Sequence, residues 1–409
     1  MTGEIPYHVQ KKHIFIIGAK CIGQYGGFET FLDKLTEQHQ NDTEIQYYIV
    51  TKANGDGYMN EEKLSGVKNI DKNLFIYHNA RVIKLYVPQI GSAQAVIYDI
   101  QALNFCLRYV EKNQIPSPIF YILACRIGPF FAKLVKKAHK LGGKVYVNPD
   151  GNEWKRSKWS RPVRMYWKKS EQLMIKHSDL IICDSVHIEK YIKKEYQQYH
   201  PNTIYISYGA DTKSSGLSDD DPRFVDWLKI NGIKENEYYM CCGRLVPENS
   251  IEIMIREFMK SKSKRDFVLI TTYNPRFFKI LEKKTNFQKD HRIKFVGSIY
   301  DSILLKKIRE KAYAYIHGHT VGGTNPSLLE ALASTDINLL IDVTFNREVA
   351  KDSALYWTPK SGNLSDLIDS ADIIDRNMRN NMREESNRII NNSYNWRNIA
   401  EKYSKIWNI

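Results

Sequence analysis

Short apolar runs of four to six residues recur along the chain, and longer amphipathic stretches separate them. The runs His13–Ile17, Ile45–Val50, Leu74–Tyr77, Arg81–Tyr86, Ile119–Leu123, Lys144–Asn148, Leu180–Cys183 and Thr203–Ile206 read as strands. Between them, Gly27–Gln40, Ala93–Asn113, Pro129–Leu141, Arg161–Lys176 and Val186–Tyr199 carry apolar residues at helical spacing. Near-continuous apolar strands alternating with such helices predict a parallel, doubly wound sheet covered on both sides. The pattern pauses at Asp211–Asp221, a polar stretch rich in Ser and Asp that reads as a linker. It restarts with strands at Tyr239–Cys242, Phe267–Thr271, Ile293–Val296, Tyr313–His317 and Asn338–Asp342, and Leu364–Ile409 reads as two or three helices ending in Trp396–Trp407. The expectation is an α/β chain of two Rossmann-like domains with a cleft between them, residues 1–212 and 213–390. A final helix within 391–409 would pack back on the first domain.

Composition changes this picture little. A 409-residue chain with 43% hydrophobic and 26% charged residues has material for two cores. The six cysteines lack zinc-site or redox-pair spacing and mostly lie in apolar runs, which predicts buried free thiols in a reducing cytosol. Met1–Lys12 lacks the apolar centre of a signal peptide, and the longest apolar run, Pro118–Val135, is broken by Arg126, Gly128 and Pro129. The net charge of +14 is uneven, +10 on residues 1–205 against +4 on 206–409. The first half is therefore the one expected to meet an anionic partner.

Chemistry concentrates where a strand hands over to a helix, the place where open α/β sheets bind ligands. His317-Gly-His-Thr-Val-Gly-Gly-Thr-Asn-Pro-Ser-Leu-Leu-Glu330 follows one strand and opens a helix at Pro326, with Asn325 or Thr324 as its cap. Its glycines, Gly322 and Gly323 among them, let backbone approach a ligand. The helix start offers N–H groups to an anion, and Glu330 lies one turn in. A tight turn with a surface glutamate has the same local sequence. Gly18–Glu29 follows the first strand, without dinucleotide-fingerprint spacing, and Gly26 and Gly27 could touch a diphosphate or simply form a turn. Asn148-Pro-Asp-Gly-Asn-Glu-Trp154 places Asp150 after another strand, where Asp-Gly is equally a turn. Gly243-Arg-Leu-Val-Pro-Glu-Asn249 offers Arg244 as a fixed fork for phosphate, or as a surface residue.

Four stretches carry a resemblance in order and across both halves: Tyr25–Phe31, Asp150–Trp159, Gly243–Asn249 and His317–Glu330. They resemble the family four retaining glycosyltransferases of GT-B type, two Rossmann-like domains with parallel sheets facing a cleft and C-terminal helices. Within that family they are similar to bacterial β-1,4-rhamnosyltransferases of capsule and cell-wall synthesis. The resemblance implies a donor, dTDP-L-rhamnose, bound by the second domain, and an undecaprenyl-diphosphate-linked sugar as acceptor, bound by the first. Gly26, Gly27, Arg244, Asn249, Gly322, Gly323, Thr324, Asn325 and Glu330 would line the donor site. Glu330 would hold the ribose hydroxyls. The chain departs from the wider family at three places. Gly322 stands where a first glutamate binds the hexose, Asn249 where a lysine is frequent, and Cys21-Ile-Gly23 where relatives carry Gly-Ile-Pro. A missing carboxylate at 322 fits a 6-deoxy sugar better than glucose.

The implied reaction transfers the sugar with retention, Arg244 stabilising the leaving diphosphate and Asp150 orienting the acceptor or assisting its proton. No metal or other cofactor is expected, and the acidic Asp219–Asp221 reads as solvated. Trp154 to Lys169 holds seven Lys/Arg, three Trp, one Tyr and no acid. Trp154, Lys155, Arg156, Lys158, Trp159 and Arg161 thus form a candidate surface for the acceptor or for the inner face of the plasma membrane, and equally a solvated helix face. A peripheral cytoplasmic protein is the expectation. Charge of this size could bind nucleic acid, but no nucleic-acid module is present and none is expected as partner. Two other classes share the architecture: a non-hydrolysing sugar-nucleotide epimerase and a catalytically silent nucleotide-sugar-binding partner.

Overall fold

A computed structural model describes residues 11–24, 26–156 and 158–408. The chain forms two compact units, one of residues 1–154, 162–206 and 396–409, the other of residues 155–161 and 207–395. Tyr25 of the first glycine-rich stretch lies outside the described residues.

The first unit is built on β1 (Lys12–Ile17), β2 (Ile45–Lys52), β3 (Lys68–Asp71), β4 (Leu74–Tyr77), β5 (Ala80–Leu85), β6 (Ile119–Leu123), β7 (Lys144–Asn148), β8 (Leu180–Cys183) and β9 (Thr203–Tyr205). Their order across the sheet is β3-β4-β5-β2-β1-β6-β7-β8-β9. Helices α1 (Gly27–Gln38), α2 (Gln94–Asn113), α3 (Gly128–Lys140), α4 (Arg161–His177) and α5 (Val186–Glu195) connect and cover the strands. Seven strands run in the direction of β1, and β4 alone runs against them, so the sheet is not wholly parallel. β4 pairs antiparallel with both β3 and β5, because only two residues, His78 and Asn79, separate β4 from β5 and no crossover helix fits. β3 is wholly exposed and carries no apolar alternation, so the sequence pattern did not show it.

The second unit runs α6 (Pro222–Asn231), β10 (Tyr238–Cys242), α7 (Ile251–Lys260), β11 (Asp266–Ile270), α8 (Pro275–Thr285), β12 (Ile293–Gly297), α9 (Ser302–Glu310), β13 (Ala314–His317), α10 (Pro326–Leu332), β14 (Ile337–Ile341), α11 (Thr344–Ala350), β15 (Leu355–Trp357), α12 (Asn363–Ala371) and α13 (Arg376–Ile389). Its sheet is parallel throughout, in the order β12-β11-β10-β13-β14-β15. In the acidic stretch before α6, Asp219 and Asp220 are exposed to solvent. Asp219 pairs with Lys307 at 2.6 Å and Lys311 at 2.7 Å, and Asp221 caps α6.

Helix α14 (Trp396–Trp407) belongs to the first unit. Of its aromatic residues Tyr403 and Trp407 are buried and Trp396 is half-buried, so their helical spacing reports packing. Trp407 Nε1 donates to Tyr47 Oη at 2.9 Å, Ser404 Oγ meets His39 Nε2 at 2.9 Å, and Tyr403 and Tyr121 share a hydrogen bond of 3.1 Å. All six cysteines are buried and free.

Candidate functional site

Each sheet reverses its winding direction once. In the second unit the chain moves outward from β10 through β11 to β12, then returns to the other side of β10 with β13 and continues to β15. The loops leaving adjacent strands β10 and β13 therefore diverge, which opens a crevice at their carboxyl ends. Gly243–Asn249 is the first of these loops, and residues 318–325 are the second.

The two loops are bound to each other. Thr320 N–H and Oγ1 donate to the Glu248 carbonyl at 2.9 and 3.0 Å. Gly318 lies so close to the first loop that a Cβ would stand 2.5 Å from the Asn249 carbonyl oxygen, so only glycine fits. Asn249 Nδ2 donates to the Arg244 carbonyl at 2.7 Å, which fixes its amide orientation, and its Oδ1 faces His319 Nδ1 at 2.7 Å. Under the loops, Tyr315 Oη and Ser327 Oγ lie 3.2 and 3.1 Å from the Cys242 carbonyl, tying α10 to the end of β10.

Asn325 caps α10, accepting from Ser327 N–H at 2.9 Å, with Pro326 in the first turn. Gly322, Gly323 and Thr324 are buried in the approach to it. Gly322 has φ 131°, a conformation that any side-chain-bearing residue would adopt only with strain. Glu330 is one turn into α10, partly exposed, and one of its carboxylate oxygens is held by Arg309 Nη2 of α9 at 2.6 Å.

The electrostatics of the crevice are cationic. Arg244 is exposed on the first loop. Arg156, from residues 155–161 of the same unit, also bears on this place: burial, then the charges of Arg156 and Arg244, push His319 down to about 4 against the pull of the Val321 backbone and Glu248. His317, buried at the end of β13, is pushed down to about 3 by burial and by His319, and both rings are neutral near pH 7. Two guanidinium groups beside glycine-rich loop backbone can receive a dianion. Among the described residues no group of His, Cys, Asp and Glu is arranged to hold a metal ion.

In the first unit the winding reverses between β1 and β6. Gly18 closes tightly on β6, where a Cβ would meet the Leu123 carbonyl at 2.4 Å. The loop is anchored by Arg126 Nη1, which donates to the Gly18 carbonyl at 3.0 Å and to the buried Asp99 carboxylate at 3.0 Å. Gly26 precedes α1, and a Cβ on Gly27 would have no atom within 4 Å. Asp150 follows β7, half-buried, with φ 57° and its N–H donated to Asn148 Oδ1 at 2.8 Å. Asn148 in turn bonds the Tyr121 hydroxyl, which reaches Tyr403 of α14.

The basic and aromatic segment divides. Trp154 stays with the first unit, its ring under Lys168 Nζ at 4.6 Å and its carbonyl taken by Arg164. Lys155, Arg156, Lys158, Trp159 and Arg161 cluster with the second unit. Lys155, Lys158 and Arg161 are exposed, and Lys158 Nζ lies over the Trp159 ring at 4.5 Å. No helix of the described residues is long and apolar enough to cross a membrane.

Sequence reasoning singled out Arg244, Asn249 and the glycines but assigned nothing to His319, Arg309, Arg126 or Tyr403. Arg309 and Arg126 look like any cation of an amphipathic pattern. Only burial and a carboxylate partner distant in the chain distinguish them.

The family described as a domain of unknown function, DUF1972, matches residues 11–211, just under half of the chain. No curated protein sequence matches it. Among solved structures, sucrose-phosphate synthase from Thermosynechococcus elongatus is similar with a TM-score of 0.73 at 14% identity, over 97% of this chain and 98% of that one. Anabaena HepE in complex with UDP is similar with a TM-score of 0.68 at 12% identity, over 97% and 99%. Trehalose 6-phosphate synthase from Burkholderia multivorans is similar with a TM-score of 0.73 at 11% identity, over 98% and 96%. At such identity the likeness is one of fold, and the fold of this chain, two α/β units each built on a doubly wound sheet and completed by C-terminal helices, is GT-B.

Proposed function

We propose that this chain is a retaining glycosyltransferase that moves L-rhamnose from dTDP-L-rhamnose to an undecaprenyl-diphosphate-linked sugar in capsule or cell-wall polysaccharide synthesis. The observation that carries the reading is the cationic crevice at the β10/β13 reversal, where Arg244 and Arg156 act on one point beside glycine-rich backbone. Such a place suits the diphosphate of a nucleotide-sugar, whose leaving charge needs preorganised cations and N–H groups. HepE of the same fold has been crystallised with UDP and with UDP-glucose, which supports a nucleotide-sugar here. Glu330, held by Arg309, is the group for the ribose hydroxyls. Gly322 leaves no carboxylate for hexose hydroxyls, which favours a 6-deoxy sugar.

In this reading the first unit takes the acceptor. Asp150 orients its attacking hydroxyl or assists its proton, and Gly26–Gly27 backbone serves the diphosphate. The exposed Lys155, Lys158 and Arg161 suit an anionic membrane surface carrying the lipid acceptor. Arg244, with loop N–H groups, stabilises the departing diphosphate, and no metal is required. The test is a donor screen with purified protein: dTDP-, UDP- and GDP-sugars, each with a synthetic lipid-diphosphate sugar. Turnover with dTDP-L-rhamnose and little with UDP-glucose is expected. Preference for UDP-glucose removes the donor assignment, and absence of transfer from every donor removes the enzyme.

A further inference from the structure

His319 is built for a charge it does not carry. The amide of Asn249 cannot turn over, because its Nδ2 is committed to the Arg244 carbonyl. Its Oδ1 therefore faces His319 Nδ1, and Nδ1 must hold the ring's single proton. Any further proton goes to Nε2. A hydrogen bond to the Val321 backbone favours the charged form, and the Asn249 amide oxygen at Nδ1 accepts from the ring in either form. What keeps the ring neutral is burial together with Arg156 and Arg244, which outweigh the nearby Glu248. His317, the next titratable group on the strand side, is itself neutral. Helix α11 packs Phe345 against the ring and holds its Arg347 on Asp342, and α10 holds Glu330 on Arg309. Arg156 and Arg244 are thus charges opposing protonation whose field a bound anion would cancel.

We propose that docking of the donor's diphosphate drives protonation of His319 at Nε2 by a proton from solvent, so that the occupied site presents three cations to the diphosphate. The proposal rests on the reading of this crevice as a nucleotide-sugar site. A dianion beside Arg156 and Arg244 reverses the sign of the local field, and a charge at contact distance shifts a titration by a few units. Proton uptake raises the affinity as pH falls, because only the complex holds the extra proton. The third cation is absent when the site is empty, which avoids leaving an uncompensated buried charge.

The experiment is titration calorimetry of the full chain with dTDP-L-rhamnose and, in parallel, UDP-glucose, without acceptor. Neither ligand carries a phosphate group that titrates near neutral pH. Repeating each titration in two buffers of different ionisation enthalpy counts the protons taken up. The wild-type chain is expected to take up a fraction of a proton at about pH 7.5 and a larger fraction at about pH 5.5, with affinity rising up to about tenfold per pH unit. His319→Gln, checked for folding by circular dichroism, is expected to show a flat profile and no uptake. Binding without proton uptake by the wild-type chain overturns the inference alone, as does equal uptake by His319→Gln. Absence of binding of either ligand at every pH overturns the donor reading and this inference with it.

Discussion

Gly318→Ala is the sharpest perturbation of the crevice, because the structure sets its size in advance. The added methyl would lie 2.5 Å from the Asn249 carbonyl oxygen, 3.1 Å from Met254 Sδ and 3.1 Å from Ser250 Cβ. The nearest of these is backbone, which cannot swing aside as a flexible side chain would, so one loop must move by roughly 0.5–1 Å. Overpacking of this kind costs about 1–3 kcal/mol. The restricted unfolded chain returns about 0.4–1 kcal/mol. A net loss of about 1–2 kcal/mol corresponds to a fall of about 2–8 °C in the melting of a unit of roughly 150–250 residues. The atoms displaced belong to the turn that holds Asn249 and, through it, His319 and the Arg244 carbonyl. Donor turnover is therefore expected to fall by more than stability accounts for, up to about a hundredfold for a displacement near 1 Å. Thermal unfolding by circular dichroism and donor kinetics on the same preparation read both quantities. Gly27→Ala is the matched control, since its methyl meets no atom within 4 Å. It is expected to melt within a degree or two of wild type, and a rise in donor KM would then mark backbone facing the ligand. Wild-type melting and wild-type turnover in Gly318→Ala would refute the packing argument outright.

Arg244→Ala is expected to lower kcat about a hundredfold or more, a few kcal/mol at the transition state, while EDTA changes little. Near-normal turnover would remove Arg244 from the site, and strong inhibition by EDTA would overturn the metal-free mechanism. His317 and His319 titrate lower in the folded chain than when unfolded, so their stabilisation is complete above about pH 6.5 and is lost as pH falls toward 4. Urea unfolding at about pH 7 and pH 5 should therefore differ by about 2 kcal/mol per histidine, and by less in His319→Gln. An equal pH dependence in that variant would contradict the burial of the ring. Replacing Lys155, Arg156, Lys158 and Arg161 with Gln should weaken binding to anionic vesicles, with a salt dependence set by screening over about 8 Å. Equal loss of activity on lipid and soluble acceptors, with vesicle binding intact, would assign the segment to the active site.

What the sequence determined by itself is local. Strand–helix alternation is written in apolar periodicity, so β6, β7, β8 and α14 were legible to the residue. The start of α10 was legible too, because Asn325 and Pro326 act on the backbone beside them. So was the placing of glycine-rich and Asp or Arg turns after strands, since turn chemistry belongs to adjacent residues. The tertiary structure decided everything that joins residues far apart in the chain. Strand order set the winding reversal beside β10 and so made two distant loops one crevice. Folding selected Arg309 for Glu330, Asn249 for His319 and Tyr121 for Tyr403 from many residues of the same kind. It carried Arg156 away from its neighbour Trp154 into the unit that holds Arg244. Even the protonation of His319 was settled this way, because a side chain's charge follows the solvent and charges around it, and only the folded chain determines what those are.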